Sequence, residues 1–154
     1  MNANVINMRP LHWSDIGAAS ALEVRLFPRD PWSVEQFWSE LAAVPSTRWY
    51  EVAESPTGIV GYVGLYAVPG GDADVQTLAV DPEQQGNGIG RRLFADLLAE
   101  VERRGCPRVF LEVAAENERA QRFYKQFDFE RISVRRDYYG PGFDAHVMRR
   151  GDDS

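Results

Sequence analysis

The sequence predicts an α/β fold in a single domain, with a mixed sheet and flanking helices. Three observations predict it. First, β-rich and helical runs occur in mixed order along the chain. Second, residues 75–113 contain a strand, a loop, a helix and a second strand in that order. Third, the 154 residues contain no repeat or linker. We therefore expect one domain over residues 1–150, followed by a frayed tail over residues 151–154.

Composition and charge limit the classes of function. Hydrophobic residues make up 44% of the chain and charged residues 26%, as in ordinary globular proteins. No apolar run is long enough for a membrane helix and residues 1–9 do not resemble a secretion signal, so we expect a cytoplasmic protein without a membrane partner. The net charge of −6 disfavours a nucleic-acid partner. Cys106 is the only cysteine, so no internal disulfide and no thiolate metal site are expected.

The first half of the chain predicts a strand, two helices and a hairpin. A helix should begin after Ser14 or Asp15, and Ser33 with Gln36 forms a capping box for a second helix. Between them lies an aromatic, proline-rich loop over residues 27–32. The β-rich runs are residues 49–54, 59–68 and 75–80.

The second half begins with the clearest helix of the sequence. Apolar residues recur at helical spacing from Gly88 to Val101, and Gly105 follows a basic last turn. A strand over residues 109–113, a helix capped by Asn117 and two strands over residues 130–138 and 144–150 complete the prediction.

The glycine-rich loop before this helix can hold a phosphate. Glycines allow backbone N–H groups to turn towards a ligand, and the start of a helix favours an anion. A glycine-rich turn without a ligand is an equally good interpretation of this pattern alone. A nucleotide-hydrolysing loop would need Lys and then Ser or Thr after Gly90, and a dinucleotide loop would need a third glycine at position 91, but residues 91 and 92 are both arginine.

The loop and the strand before it resemble the acetyl-coenzyme A site of the GNAT acetyltransferases. The resemblance lies in the pattern Gln85-x-x-Gly88-x-Gly90, which follows a strand that ends in Leu-Ala-Val-Asp-Pro. It implies a GNAT-like sheet in which a bulged central strand splays from its neighbour, so that pantetheine lies between them. It also implies that a backbone N–H of this strand polarises the thioester carbonyl. The implied cofactor-binding residues are Leu78, Ala79, Val80, Gln85, Gly86, Asn87, Gly88, Ile89, Gly90, Arg91 and Asn117.

The resemblance continues into the second half of the chain. The strand Phe-Leu-Glu-Val, Asn117 and the run Arg-Phe-Tyr-Lys-Gln-Phe-Asp-Phe match the end of the family's domain, although Asp128 stands where glycine is usual. Aspartate tolerates a left-handed backbone better than most residues. Softer motifs around Phe27, Trp32 and residues 135–145 are similar to the branch of the family that acetylates the N-terminal alanine of a ribosomal protein.

The resemblance implies two catalytic residues. Glu112 would accept a proton from the amine, directly or through water, and Tyr124 would donate a proton to the departing thiolate. Without the resemblance, Glu112 is better interpreted as a solvated or paired strand residue, and Tyr124 as a core aromatic residue. Cys106 should lie about 20 Å from Glu112 at the usual rise of a strand, which favours direct transfer over an acetyl-cysteine. His12 and His146 are interpreted as structural or surface residues.

The acceptor is expected to be the N-terminus of a protein, and it would lie in a groove between two loops. The candidate substrate-binding residues are Trp32, Tyr138, Tyr139 and Asp144, and the aromatic ones could equally cover the edge of the sheet. A lysine side chain or a small amine as acceptor, and a non-catalytic coenzyme A-binding module, remain alternatives. We expect a monomer or a weak homodimer.

Overall fold

The fold is a seven-stranded mixed sheet, seen in a computed structural model that describes residues 5–84 and 86–151. The strand order is β1-β2-β3-β4-β5-β7-β6, and all neighbours are antiparallel except β4 and β5. The strands are β1 (Asn7–Pro10), β2 (Arg48–Ser55), β3 (Gly58–Ala67), β4 (Ala73–Val80), β5 (Val109–Ala114), β6 (Glu130–Arg135) and β7 (Ala145–Arg150).

Helices cover both faces of the sheet. They are α1 (Ile16–Leu26), α2 (Val34–Ala42), α3 (Ile89–Arg103) and α4 (Glu118–Lys125), with short 3-10 turns at Trp13–Asp15 and Pro82–Gln84. Residues of α3 and α4 pack in one apolar cluster, and residues of α1 and α2 pack in another. The predicted α/β fold with a crossover helix between two parallel strands is confirmed. No helix in the described part of the chain is long and apolar enough to cross a membrane.

Local signals set the helix boundaries as predicted. The Ser33 hydroxyl accepts a hydrogen bond from the Gln36 N–H at 3.1 Å, and the Gln36 side chain accepts one from the Ser33 N–H at 2.7 Å. Asn117 caps α4 by accepting from the Ala120 N–H at 3.0 Å. Asp128 has a φ of 68°, so it takes the left-handed backbone that glycine usually supplies after α4.

The last two strands are shorter than the sequence predicts. The strand expected over residues 130–138 ends at Arg135, because Asp137 turns the chain with a φ of 55°. The Asp137 carboxylate accepts a hydrogen bond from the Gly142 N–H at 2.7 Å and fixes the turn before β7. Within the predicted tail, residues 152–154 lie outside the described residues.

One pair of carboxyl groups opposes folding at neutral pH. Burial and the neighbouring carboxyl of Asp96 raise the pKa of Glu51 from 4.5 to about 8, against the opposing charge of Arg92. One carboxyl oxygen of Glu51 is buried and has no hydrogen-bond partner among the described residues. Because the folded state holds this proton more tightly than the unfolded state, stability is lost as the pH rises from about 4.5 to about 8.

We predict that Glu51→Gln removes most of this loss. At pH 8 the free energy of unfolding of the variant should exceed that of the parent by about 1–2 kcal/mol. This is less than the pKa shift alone would imply, because the side chain is partly in contact with solvent. Urea unfolding at pH 5 and pH 8 measures the effect. Glu54→Gln is the matched control, because Glu54 pairs with Arg9 at 3.1 Å and its removal should bring no gain. Equal stability of Glu51→Gln and the parent at pH 8 would contradict the prediction.

Candidate active site

The sheet opens into a cleft where β4 and β5 part. These two strands pair only at Ala73 with Val109 and at Asp74 with Phe110, and then they diverge. On its other side β4 stays paired with β3, but Leu65 pairs with Val75 and Gly64 with Thr77, so Gln76 is an extra residue. A bulge of this kind bends a strand and increases its twist. The splayed and bulged strand expected from the family resemblance is therefore present.

The cleft has a volume of about 700 Å³ and is lined by several parts of the chain. Its walls are residues 75–80 of β4 and residues 111–114 of β5. The end of α1, helix α4 with the segment before it, and the loops after α1 and β6 also line it. The lining residues proposed from the sequence are Leu78, Ala79, Val80, Glu112, Asn117, Tyr124, Trp32, Tyr138 and Tyr139.

Glu112 projects from β5 on the face opposite the α3 core. It alternates with the buried residues Leu111 and Val113, so its carboxylate faces the cleft rather than the core. The guanidinium of Arg135 on β6 lies 3.2 Å from Glu112 Oε1. Arg135 in turn lies over the ring of Tyr138, 4.5 Å from its centroid. The carboxylate is thus oriented by a partner that the sequence pattern did not reveal.

Tyr124 reaches the same cleft from α4. Its ring packs against Phe94 and Phe129, with centroid distances of 5.3 and 6.1 Å. Burial, and then the nearby Tyr139, raise the pKa of Tyr124 above its ordinary range. Burial, followed by Tyr138 and Glu112, raises the pKa of Tyr139 to about 12. Tyr139 therefore interacts with both Glu112 and Tyr124, and the hydroxyl of Tyr124 keeps its proton at neutral pH.

The glycine-rich loop joins the end of β4 to α3, and its described residues, 86–91, are not part of the cleft lining. Gly86 and Gly88 have φ values of 92° and 77°, and a Cβ at either position would meet open space. A Cβ at Gly90, in the first turn of α3, would lie 3.6 Å from the Val80 side chain and 3.9 Å from the Phe123 ring. The Arg91 guanidinium donates to the side chain of Gln126.

The loop and the cleft together fit acetyl-coenzyme A. Two glycines with positive φ before the start of α3 suit a pyrophosphate, because they leave backbone N–H groups accessible. The gap between β4 and β5 suits the long pantetheine arm, because the β4 edge there has no strand partner. Gln85, which the sequence also assigns to this site, lies outside the described residues.

The predicted substrate-binding residues divide into two groups. Trp32, Tyr138 and Tyr139 line the cleft. The structure does not place Asp144 in the lining, because its carboxylate accepts a hydrogen bond from the Asp137 N–H at 2.9 Å and stabilises the β6–β7 turn. Asp144 therefore shapes the loop that carries the two tyrosines.

Arg29 joins three segments of the cleft rim. It follows α1, and its guanidinium carbon lies 3.6 Å from the centroid of the Phe143 ring in the β6–β7 turn. It also lies 3.4 Å from the carboxylate of Glu116, which precedes α4. These contacts connect the α1–α2 loop with the β6–β7 turn and with the segment before α4.

Sequence reasoning missed several residues of the cleft. Glu23 on α1 lines it and is only 3% exposed. The available signal was a charged residue on the apolar stripe of α1, directly after Leu22 and three residues before Leu26. Gln76 and Arg29 also line the cleft, but only the bulge and the folded rim reveal them.

The remaining candidates lie outside the cleft. Cys106 is buried near the start of β5, where its thiol donates to the Val68 carbonyl at 3.4 Å, and burial raises its pKa. A buried thiol with a raised pKa is a poor nucleophile. His12 and His146 do not line the cleft.

Comparisons with known proteins agree with this geometry. The model of the acetyltransferase (GNAT) family matches residues 17–129. N-alpha-acetyltransferase RimI of Mycobacterium tuberculosis is 40% identical over 148 residues, which cover 92% of this chain and 90% of that protein. The ribosomal protein bS18-alanine N-acetyltransferase of Escherichia coli K12 is 32% identical over 129 residues, 84% of each chain.

Longer relatives and solved structures complete the comparison. An uncharacterized protein of Mycobacterium leprae is 38% identical over 142 residues, but this chain spans only 38% of its length. The crystal structure of the Escherichia coli ribosomal-protein-S18-alanine N-acetyltransferase superposes with a TM-score of 0.82 and 26% identity, covering 97% of both chains. Arabidopsis thaliana NAA60, solved in complex with acetyl-CoA, has the same fold, with a TM-score of 0.85, 20% identity and coverage of 97% and 100%. The chain belongs to the GNAT family of acetyl-CoA-dependent N-acetyltransferases.

Proposed function

We propose that this protein transfers the acetyl group of acetyl-CoA to the α-amino group of a protein that begins with alanine, with a ribosomal protein as its substrate. The observation that carries the proposal is the cleft between β4 and β5, into which Glu112 and Tyr124 project from two sides. The names of the Mycobacterium tuberculosis and Escherichia coli relatives support this choice of acceptor.

The chain's own residues divide the work of binding and proton transfer. The backbone of residues 78–80 and residues 86–91 would hold the co-substrate, which supplies an activated acetyl group when bound. Glu112 accepts the proton that the amine loses, directly or through one water molecule. Tyr124 donates the proton of Oη to the departing thiolate as the amine nitrogen bonds to the carbonyl carbon and the C–S bond breaks, and its raised pKa means that the hydroxyl is protonated at neutral pH.

The protonation state of the acceptor favours an α-amino group. Its ordinary pKa of about 8 leaves roughly a tenth of it neutral at pH 7, whereas a lysine with a pKa of about 10.4 is almost entirely charged. Carboxylates are in general much weaker bases than amines, so a carboxylate suits an acceptor that loses its proton easily. Glu112 therefore matches an N-terminus better than a lysine side chain.

The shape and charge of the rim also favour a chain end. Arg29 and Phe143 join the two loops beside the cleft, an arrangement that suits a flexible N-terminus better than a folded surface. Asp30 and Glu112 both line the cleft, so two carboxylates lie where the acceptor would enter. Their negative charge attracts an ammonium group.

We predict that a peptide with an N-terminal alanine and an internal lysine is acetylated only at its α-amino group. Thiol release measures turnover, and fragmentation mass spectrometry locates the acetyl group. The same peptide with a blocked N-terminus is the control and should not react. Acetylation of the lysine would contradict the assignment of an α-amino group as the acceptor. Turnover of small amines alone would favour an enzyme that acts on small molecules. Binding of acetyl-CoA without any turnover would contradict the proposed catalysis.

A further inference from the structure

Glu23 is a buried carboxylate between α1 and β3 that the proposed chemistry does not use. Its two oxygens accept hydrogen bonds from two different parts of the fold. One bond comes from the Tyr62 hydroxyl on β3, and the other from the Trp32 backbone N–H in the α1–α2 loop at 3.1 Å. Among the described residues no Lys, Arg or His forms an ion pair with Glu23.

Burying a carboxylate without a paired cation costs free energy, so the two hydrogen-bond donors must offset much of that cost. Burial raises the pKa of Glu23, and the hydrogen bonds from Tyr62 and Trp32 act in the opposite direction. An apolar residue would fit the stripe of α1 at lower cost. The carboxylate at this position therefore indicates a structural role, which is to accept hydrogen bonds from two donors at once.

The hydrogen bonds connect the cleft wall to the acceptor loop. Tyr62 lies on β3 and stands opposite Ala79 of β4 in the antiparallel ladder. Ala79 lines the cleft. The path from the β3–β4 ladder through Tyr62 and Glu23 thus ends at the backbone of Trp32.

Trp32 is the element that this path holds in place. It lines the cleft, and its ring packs against Phe37 at a centroid distance of 5.3 Å with an interplanar angle of 61°. The segment from Phe27 to Asp30 lies next to it and also lines the cleft. The backbone position of Trp32 therefore sets where this loop meets the acceptor.

We propose that Glu23 is a positioning residue, which anchors the α1–α2 loop to β3, the strand paired with the splayed strand β4, and so fixes the acceptor side of the cleft. The proposal rests on the proposed function, because it concerns how the acceptor peptide is bound. Among the described residues, Glu23 forms hydrogen bonds with Tyr62 and Trp32 and none with the glycine-rich loop, so acetyl-CoA binding should not depend on it. Loss of the anchor should weaken acceptor binding while the cofactor side stays unchanged.

Two substitutions of similar size separate hydrogen bonding from packing. Glu23→Leu fills the same space but has no acceptor. Glu23→Gln keeps one oxygen for the Trp32 N–H, and its amide can donate to the Tyr62 oxygen if that hydroxyl turns. A pure packing role tolerates leucine at least as well as glutamine, whereas an anchoring role tolerates only glutamine.

The experiment combines amide hydrogen exchange at Trp32 with steady-state kinetics on the full chain. Glu23→Leu should speed exchange of the Trp32 N–H about tenfold or more and raise the KM for the alanine peptide by a similar factor. In Glu23→Leu the KM for acetyl-CoA should stay within about twofold of the parent. In Glu23→Gln the Trp32 exchange rate and the KM for the peptide should both lie within about threefold of the parent. Leu97→Val is the control, since it loosens the core on the α3 side without contact to this loop.

Equal Trp32 exchange in the parent and Glu23→Leu would overturn the proposal, as would equal behaviour of the leucine and glutamine variants. A rise in the KM for acetyl-CoA as large as that for the peptide would also overturn it. If Glu23→Leu does not fold, Tyr62→Phe removes one donor and should give a smaller change in the same direction, whereas no change would count against the anchor. If the parent acetylates no peptide, the proposed function fails, and exchange at Trp32 still tests the anchor separately.

Discussion

Tyr124→Phe should lower kcat by about 100-fold, because the variant keeps the ring in the core and loses only the hydroxyl. Glu112→Gln should lower kcat/KM by a similar factor, since an amide cannot accept the amine's proton. Both substitutions keep the size of the side chain and leave β4 and the glycine-rich loop unchanged, so the affinity for acetyl-CoA should stay within about twofold of the parent. Thiol-release kinetics and calorimetry with the co-substrate measure the two quantities.

Matched variants outside the cleft separate chemistry from folding. Tyr66→Phe removes a hydroxyl from β3, where the tyrosine ring packs under Arg48 at 4.2 Å. Glu118→Gln neutralises a carboxylate in the exposed first turn of α4. Both should keep nearly the activity of the parent. Unchanged kcat in Tyr124→Phe would remove the acid assignment, and unchanged kcat/KM in Glu112→Gln would remove the base assignment.

Arg104→Met should destabilise the fold by about 3–5 kcal/mol, because it removes a buried guanidinium that several groups depend on. Arg104 Nε donates to the Glu100 carboxylate at 2.7 Å. Its two terminal nitrogens donate to four carbonyls that connect α3 with the start of β2 and the end of β3, namely those of Pro45, Ser46, Arg48 and Ala67. Methionine fills part of the space but leaves these acceptors without a donor.

The neighbouring Arg103 provides the control for this prediction. It also pairs with Glu100, at 2.5 Å, but 70% of its side chain is exposed. Arg103→Met should therefore change stability little. For a domain of this size, the loss at Arg104 corresponds to a fall in Tm of about 10 °C, which calorimetry or circular dichroism would detect. Equal melting temperatures of the two variants would show that the buried network contributes little.

The elements with strong local signals could be predicted from the sequence. The capping box of Ser33 and Gln36, the cap at Asn117 and the helix after Gly88 depend on contacts within a few residues, so the pattern alone indicates them. The left-handed Asp128 follows from the same kind of local reasoning. The splayed strand pair came from the family resemblance, since nothing local in β4 or β5 shows where a parallel ladder ends.

The partners of the site residues could not be predicted, because they come from distant parts of the chain. Arg135 lies on a strand at the sheet edge, and only the order β5-β7-β6 brings it beside Glu112. Glu23 and Trp32 meet because the loop after α1 folds back on the helix. Asp144 was assigned to the acceptor by its place in the sequence, and its contact with Asp137 appears only once the turn has formed.

A crystal structure with a coenzyme A–alanine peptide conjugate tests the central claim most directly. The account predicts that the pantetheine arm lies between residues 78–80 of β4 and the end of β5, with the pyrophosphate on the glycine-rich loop. It also predicts that the alanine nitrogen lies within reach of Glu112 and that the peptide leaves the cleft beneath Arg29 and Tyr139. A ladder between β4 and β5 that continues past Asp74, with the conjugate bound elsewhere, would contradict the account.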